Sequence, residues 1–253
     1  MKKIIINGDD FGMNPGCSTA IAKAFDMELI TDTTMMANGL YFEEALLLAK
    51  RRGFEDRIGV HFNLTEGVPL TREMLSIPAF VIDGRFHKGY VTAPRALNEE
   101  EREAVFRELC AQAERLRDAG LSITHADSHH YIHTFTHLAP VTAEVCRRFG
   151  IEKIRLNRTF DTPEHPRPTD HRVDNSFWRN NGFITTDHFG RRADFAEAPI
   201  PDGTEIIVHP DFDKDGNLID RLGMRDGYPV GEGLDFAGLH ADSIRMTGYN
   251  ELE

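Results

Sequence analysis

Residues 125–133 read His-Ala-Asp-Ser-His-His-Tyr-Ile-His, four histidines and one carboxylate in nine positions. Twelve histidines spread evenly over 253 residues would put fewer than one in such a window. Imidazole titrates near neutral pH and is the commonest metal ligand, so His125, Asp127, His129, His130 and His133 point to a metal site or to proton transfer. Further ionisable groups close other apolar runs. Asp9 and Asp10 follow Ile4-Ile5-Ile6, His61 follows Ile58-Gly59-Val60, and His209 follows Ile206-Ile207-Val208. Arg155 and Arg158 lie at the end of the run 152–156. One Asp and two neutral imidazoles make a three-point ligand set that leaves room for water and substrate. A second carboxylate can take a proton from water, and a separate histidine can protonate a leaving group.

The elements that must carry these residues follow from pattern. Residues 2–7 are apolar on both faces, as a buried parallel strand requires. Helices are predicted over 14–27, over 42–52 with Gly53 as stop, over 98–119 with Asn98 as N-cap and three glutamates in the first turn, and over 140–149 before Gly150. Strands are predicted over 57–64, 121–124, 152–156 and 205–208. This alternation implies βαβ units and a mostly parallel sheet. The ionisable residues then fall at or just past C-terminal strand ends, the edge where parallel α/β folds build their sites. Asp9 and Asp10 can serve one site only if their strand ends or bulges there, because consecutive strand residues face opposite ways; Gly8 and Gly12 permit such a bend. Stretches 65–97 and 159–203 look irregular and suit lids or binding surfaces. Trp178, in the second, reads as packing for that loop ahead of a sugar-stacking platform.

No linker or composition shift divides residues 1–253, so one domain is expected. Net charge is −12 and pI about 5.5, which argues against nucleic acid or an anionic membrane as partner. Cys17, Cys110 and Cys146 read as unpaired thiols of a reducing compartment, and no apolar run approaches a membrane span; a cytoplasmic protein is expected. Asp211-Phe212-Asp213-Lys214-Asp215-Gly216 begins like an EF-hand, but its twelfth position is Leu222, so Asp215-Gly216 reads as a tight turn.

Three segments together resemble one family. Asn7-Gly8-Asp9-Asp10-Phe11-Gly12, the run Ile58-Gly59-Val60-His61-Phe62-Asn63-Leu64-Thr65-Glu66-Gly67 and the histidine cluster preceded by Thr124 resemble the YdjC-like carbohydrate deacetylases, whose best-known member type is the chitooligosaccharide (chitin disaccharide) deacetylase. Val208-His209-Pro210-Asp211 resembles the family's later His-Pro motif. The resemblance implies a distorted (β/α) barrel like that of polysaccharide deacetylases, and metal-assisted amide hydrolysis. It implies Asp10, His61 and His125 as ligands of one divalent ion, Asp9 as general base and His209 as acid. Residue types alone leave His125 and His129 equivalent; the resemblance favours His125. His129, His130 and His133 then orient ligands or touch substrate, with Asp127 a natural orienter and Arg155 or Arg158 a partner for the base. Mg²⁺ is favoured by the resemblance, while two His and one Asp equally accept Zn²⁺.

The expected reaction is removal of N-acetyl groups from N-acetylglucosamine-containing oligosaccharides, releasing acetate. The expected partner is a small oligosaccharide, and a homodimer is compatible with this reading. The chain departs from the family toward its C-terminus, where Arg221, Arg225 and Asp226 match only loosely. Two rivals are a metal-dependent phosphoester hydrolase, which lacks a dense basic cluster beside the motifs, and a non-catalytic sugar- or metal-binding protein, which would need more aromatics than 9%.

Overall fold

The computed structural model describes residues 1–161, 170–195, 199–221 and 244–253. In chain order the strands are β1 (Lys2–Phe11), β2 (Asp32–Met35), β3 (Ile58–Phe62), β4 (Val81–Ile82), β5 (Arg85–Phe86), β6 (Ala126–Ser128), β7 (His188–Arg191), β8 (Thr204–Val208), β9 (Pro210–Phe212), β10 (Leu218–Asp220) and β11 (Ile244–Met246). The helices are α1 (Pro15–Asp26), α2 (Phe42–Arg52), α3 (Arg72–Leu75), α4 (Gly89–Thr92), α5 (Glu99–Asp118), α6 (Ala139–Phe149) and α7 (Ser176–Asn180). The main sheet runs β6-β3-β2-β1-β8-β7, with β11 paired to the start of β1. Every pairing in it is parallel. It curls into a half-barrel with helices outside, the α/β distorted-barrel class expected.

Local sequence accounts for most of the frame. β1 buries Ile4, Ile5 and Ile6 as a central parallel strand should. Asn14 caps α1 by accepting from the Cys17 amide, Pro15 opens it, and Gly53 and Gly150 stop α2 and α6 in left-handed conformations. Asn98 and Glu101 cap α5 reciprocally. The buried carboxylate of Glu108, from the inward face of α5, accepts from the Leu70 and Thr71 amides and so ties the 65–97 stretch to the barrel wall.

Several expectations are corrected. Residues 121–124 form no strand; the strand there is β6, and it begins just after His125. Residues 152–156 contribute single parallel bridges, Ala126 to Ile154 and Lys153 to Ile184, in place of a full strand. β2 and β7 were not anticipated, the latter lying within the stretch read as irregular. Asp215-Gly216 does turn between β9 and β10, with Gly216 at φ 82°. Leu222, Arg225 and Asp226 lie outside the described residues. No described helix is long and apolar enough to cross a membrane.

Candidate metal and catalytic site

The aspartate pair ends β1 through a bulge. Gly8 pairs with Thr33 and Phe11 with Met35, so β1 spends one more residue than β2 over this stretch. Asp10 absorbs the irregularity at φ 72°, a left-handed conformation costing about 1–2 kcal/mol. Both carboxylates are thereby buried at one site.

Asp10 Oδ1 lies 3.2 Å from His61 Nε2 and 2.8 Å from His129 Nδ1. The three side chains offer donor atoms all within 4.8 Å of one another. His61 comes from β3, and His129 follows β6 directly. Asp10 Oδ1 and His61 Nε2 are buried and form no hydrogen bond, the condition a shared cation would resolve. The other nitrogen of His61, Nδ1, lies 2.7 Å from Asp127 Oδ1 and 3.0 Å from Thr34 Oγ1. That carboxylate fixes the ring with Nε2 facing inward, the arrangement usual for metal-bound histidine. Burial opposes a charge on His61, but Asp127, Asp10 and Asp9 outweigh it and raise the imidazole to about 10. A potential this negative suits a divalent cation as well as a proton.

Asp9 is held separately. Arg155 Nη1 and Nη2 donate to its two oxygens at 2.7 and 2.8 Å, and Asn7 Nδ2 donates to Oδ1 at 2.8 Å. Burial disfavours its charge, yet Arg155 and His61 prevail and lower the carboxyl to about 2. Arg155 is fully buried and also reaches Asp127 Oδ2 at 2.6 Å and Glu205 Oε1 at 2.7 Å. Glu205 accepts from the Tyr249 hydroxyl at 2.6 Å, and burial raises it to about 7 despite Arg155.

His209 follows β8, with Nε2 4.0 Å from Asp10 Oδ2 and Nδ1 buried without a hydrogen bond. Burial pushes its imidazole below the usual range, against the pull of Asp10 and Asp9. Arg221 Nη2 donates to Asp10 Oδ2 at 2.6 Å. A cavity of about 370 Å³ opens above these groups, and Glu66, Lys88, His130, Tyr131 and Arg191 line its walls.

The structure therefore brings together Asp9, Asp10, His61, Asp127, His129, Arg155 and His209. His125 stands apart from this group: among the described residues it joins no cluster of possible ligands. His125 precedes β6 and His129 follows it, so at about 3.3 Å per extended residue the two lie up to about 13 Å apart along the chain. The His125 ring stacks on Tyr249 with centroids 3.7 Å apart, bonds to Asn7 and Thr124, and occupies a slot that a side chain at Gly59 would fill. His133 is bonded to Ser128 Oγ at 2.5 Å and to the Arg155 carbonyl, and it does not line the cavity. His130, at φ 54°, reaches the cavity with Nδ1 on Thr65 Oγ1. Arg158 pairs with Asp194, and Arg155 is the arginine that grips Asp9. Trp178 is fully buried against His133 and Phe183, so it packs the loop. Sequence reasoning missed Thr34, Glu66 and Glu205 as parts of the site. Glu66 stood in a quoted motif, but nothing in its spacing tied it to the histidines.

Comparison with known proteins places these features. The YdjC-like protein family model matches residues 3–231. A carbohydrate deacetylase from Listeria monocytogenes serotype 4b is 30% identical over 214 residues, covering 83% of this chain and 82% of the relative. One from Geobacillus stearothermophilus is 36% identical over 213 residues, covering 82% and 79%. A crystal structure from Enterococcus faecalis V583, described as a candidate cellobiose-phosphate cleavage protein, matches with a TM-score of 0.70 over 98% of both chains at 23% identity, a likeness of fold. The bulged aspartate pair, the strand-borne histidines and the match over most of the chain agree: this protein belongs to the YdjC-like family.

Proposed function

We propose that this protein is a metal-dependent carbohydrate deacetylase that removes N-acetyl groups from N-acetylglucosamine-containing oligosaccharides and releases acetate. The observation that carries the reading is the convergence of Asp10, His61 and His129 beneath a cavity whose lining also includes Asp9 and His209. Relatives named carbohydrate deacetylase, 30% and 36% identical, support action on acetylated sugars. His129 takes the ligand place that the sequence resemblance gave to His125. Held by these three side chains, a divalent ion would supply Lewis-acid polarisation and a lowered water pKa. Two imidazoles and one carboxylate fit Zn²⁺, and the resemblance favours Mg²⁺; both belong in the assay.

The chain's own groups manage the protons. Asp9, kept ionised and aimed by Arg155 and Asn7, accepts the proton that water loses on adding to the acetamide carbonyl carbon. His209, neutral at rest, relays the proton gained by Asp9 to the amine nitrogen as the C–N bond breaks, giving acetate and a free amino sugar and returning both groups to their starting state. Arg221 holds the outer oxygen of Asp10, which leaves Oδ1 facing His61 and His129.

Acetate release from N-acetylglucosamine oligomers, with and without chelator and beside a generic phosphatase substrate, tests the whole reading. Chelator-sensitive acetate release with no phosphatase activity is expected. His209→Ala should cut amide hydrolysis by about 10²–10⁴, the usual worth of such a group. An activated nitrophenyl acetate, whose leaving group needs no proton, should suffer far less. Equal losses on both substrates would move His209 from acid to scaffold.

A further inference from the structure

We infer that Glu66 is the positioning residue of His129, fixing which nitrogen of that ring faces the metal site, as Asp127 does for His61. The inference rests on the reading of Asp10, His61 and His129 as metal ligands. The two imidazoles are arranged alike. Each turns one nitrogen to Asp10 Oδ1 and the other to a second carboxylate: His61 Nδ1 to Asp127 at 2.7 Å, His129 Nε2 to Glu66 Oε1 at 3.6 Å. His129 Nε2 is buried and forms no hydrogen bond, so the ring has a polar atom waiting for a partner, and Glu66 is the carboxylate beside it. A separation of 3.6 Å is outside direct hydrogen bonding. The Glu66 side chain is 38% exposed and free to close it by rotation or through one water.

The backbone beneath that side chain is firmly held. Asn63 Oδ1 accepts from the Glu66 amide at 3.2 Å, while Asn63 Nδ2 and Asn38 Nδ2 donate to the Glu66 carbonyl at 2.7 and 3.0 Å. Asn63 is pinned in turn by Gln112 of α5. A carboxylate on a surface turn does not ordinarily need this anchoring. Lys88 Nζ lies 3.1 Å from the same Oε1, so the stretch after α3 supplies the counter-charge.

A different use of the residues is conceivable on distance alone, since Glu66, His129 and His130 also offer donor atoms within 4.8 Å of one another. A second ion there would have to share His129 with the first and displace the Lys88 ammonium. Positioning needs neither.

Calorimetric and visible-absorption titration with Co²⁺ separates these outcomes. Wild type should bind one equivalent. Glu66→Ala should bind it about 10–100-fold more weakly, the usual cost of losing a histidine's orienting partner. Glu66→Gln, whose amide oxygen still accepts from Nε2–H, should stay within about threefold of wild type, well inside that loss, with an unchanged Co²⁺ band. Affinity of Glu66→Ala within about twofold of wild type, short of the expected loss, would overturn the inference. So would two equivalents in wild type and one in Glu66→Ala, which would make Glu66 a ligand of a second ion. His61→Ala distinguishes the levels: if it binds Co²⁺ as wild type does, the metal-site reading fails and this inference with it.

Discussion

His125 and His129 are chemically identical and four positions apart, yet the fold gives them opposite tasks. His129 meets Asp10 and His61 at the C-terminal end of β6, whereas His125 is buried below the strand against Tyr249. His129→Ala should therefore lose most of the bound metal. His125→Ala should keep it and instead melt at lower temperature, by an amount corresponding to roughly 2–4 kcal/mol for a buried ring removed from a packed slot. Elemental analysis and thermal melts on both variants decide this. Stoichiometric metal in His129→Ala would return the ligand role to His125. The residue types needed for the site were legible in the sequence; the register was not. Ile123 and Thr124 look like strand residues, and the histidines look like a loop beyond the strand's end. The real strand is Ala126-Asp127-Ser128, polar because both of its faces meet polar partners, Asp127 on Arg155 and His61 and Ser128 on His133. Apolar runs locate strands only where the strand faces a greasy core.

The same limit operates on whole elements. The four long helices announced themselves through caps and stops such as Asn14, Gly53, Asn98 and Gly150, because those residues act locally. β2 did not, since Asp32-Thr33-Thr34 carries no apolar run; tertiary partners hold it, Thr33 Oγ1 donating to the Gly8 carbonyl and Thr34 Oγ1 to Asp127. Asp32 opens that strand fully buried, with Oδ1 accepting from the Tyr249 amide and Oδ2 unpartnered. Burial raises its carboxyl from 3.8 to about 7. Because the folded-state value lies above the unfolded one, the protonated form is favoured in the fold. Stability from this group is fully present below about pH 4 and is lost as pH climbs toward 7. Asp32→Asn keeps the acceptor and removes the charge. It should raise the melting temperature at pH 8, by up to an equivalent of roughly 4 kcal/mol, and change it little at pH 4. A gain of the same size at both pH values would show that the charge is not what costs.

At the scale of the molecule, Tyr249 ties distant parts of the barrel together. Its hydroxyl bonds Glu205, which bonds Arg155, which grips Asp9; its ring lies on His125, which bonds Asn7, which also grips Asp9. Its amide meets Asp32 across 217 residues of chain. Contacts of such separation carry the largest loop-closure cost and form late, after local helices and neighbouring strands have condensed. The carboxylate proposed to activate water is thus framed by one of the last contacts the folding chain can make. Tyr249→Phe leaves Glu205 Oε2 without its donor, at a cost of about 1–3 kcal/mol. If the contact is absent from the transition state, nearly all of that cost falls on the escape rate: unfolding in denaturant should accelerate roughly tenfold while refolding stays almost unchanged. Stopped-flow measurement of both limbs would show it, and a slowed refolding limb would place Tyr249 in the nucleus instead.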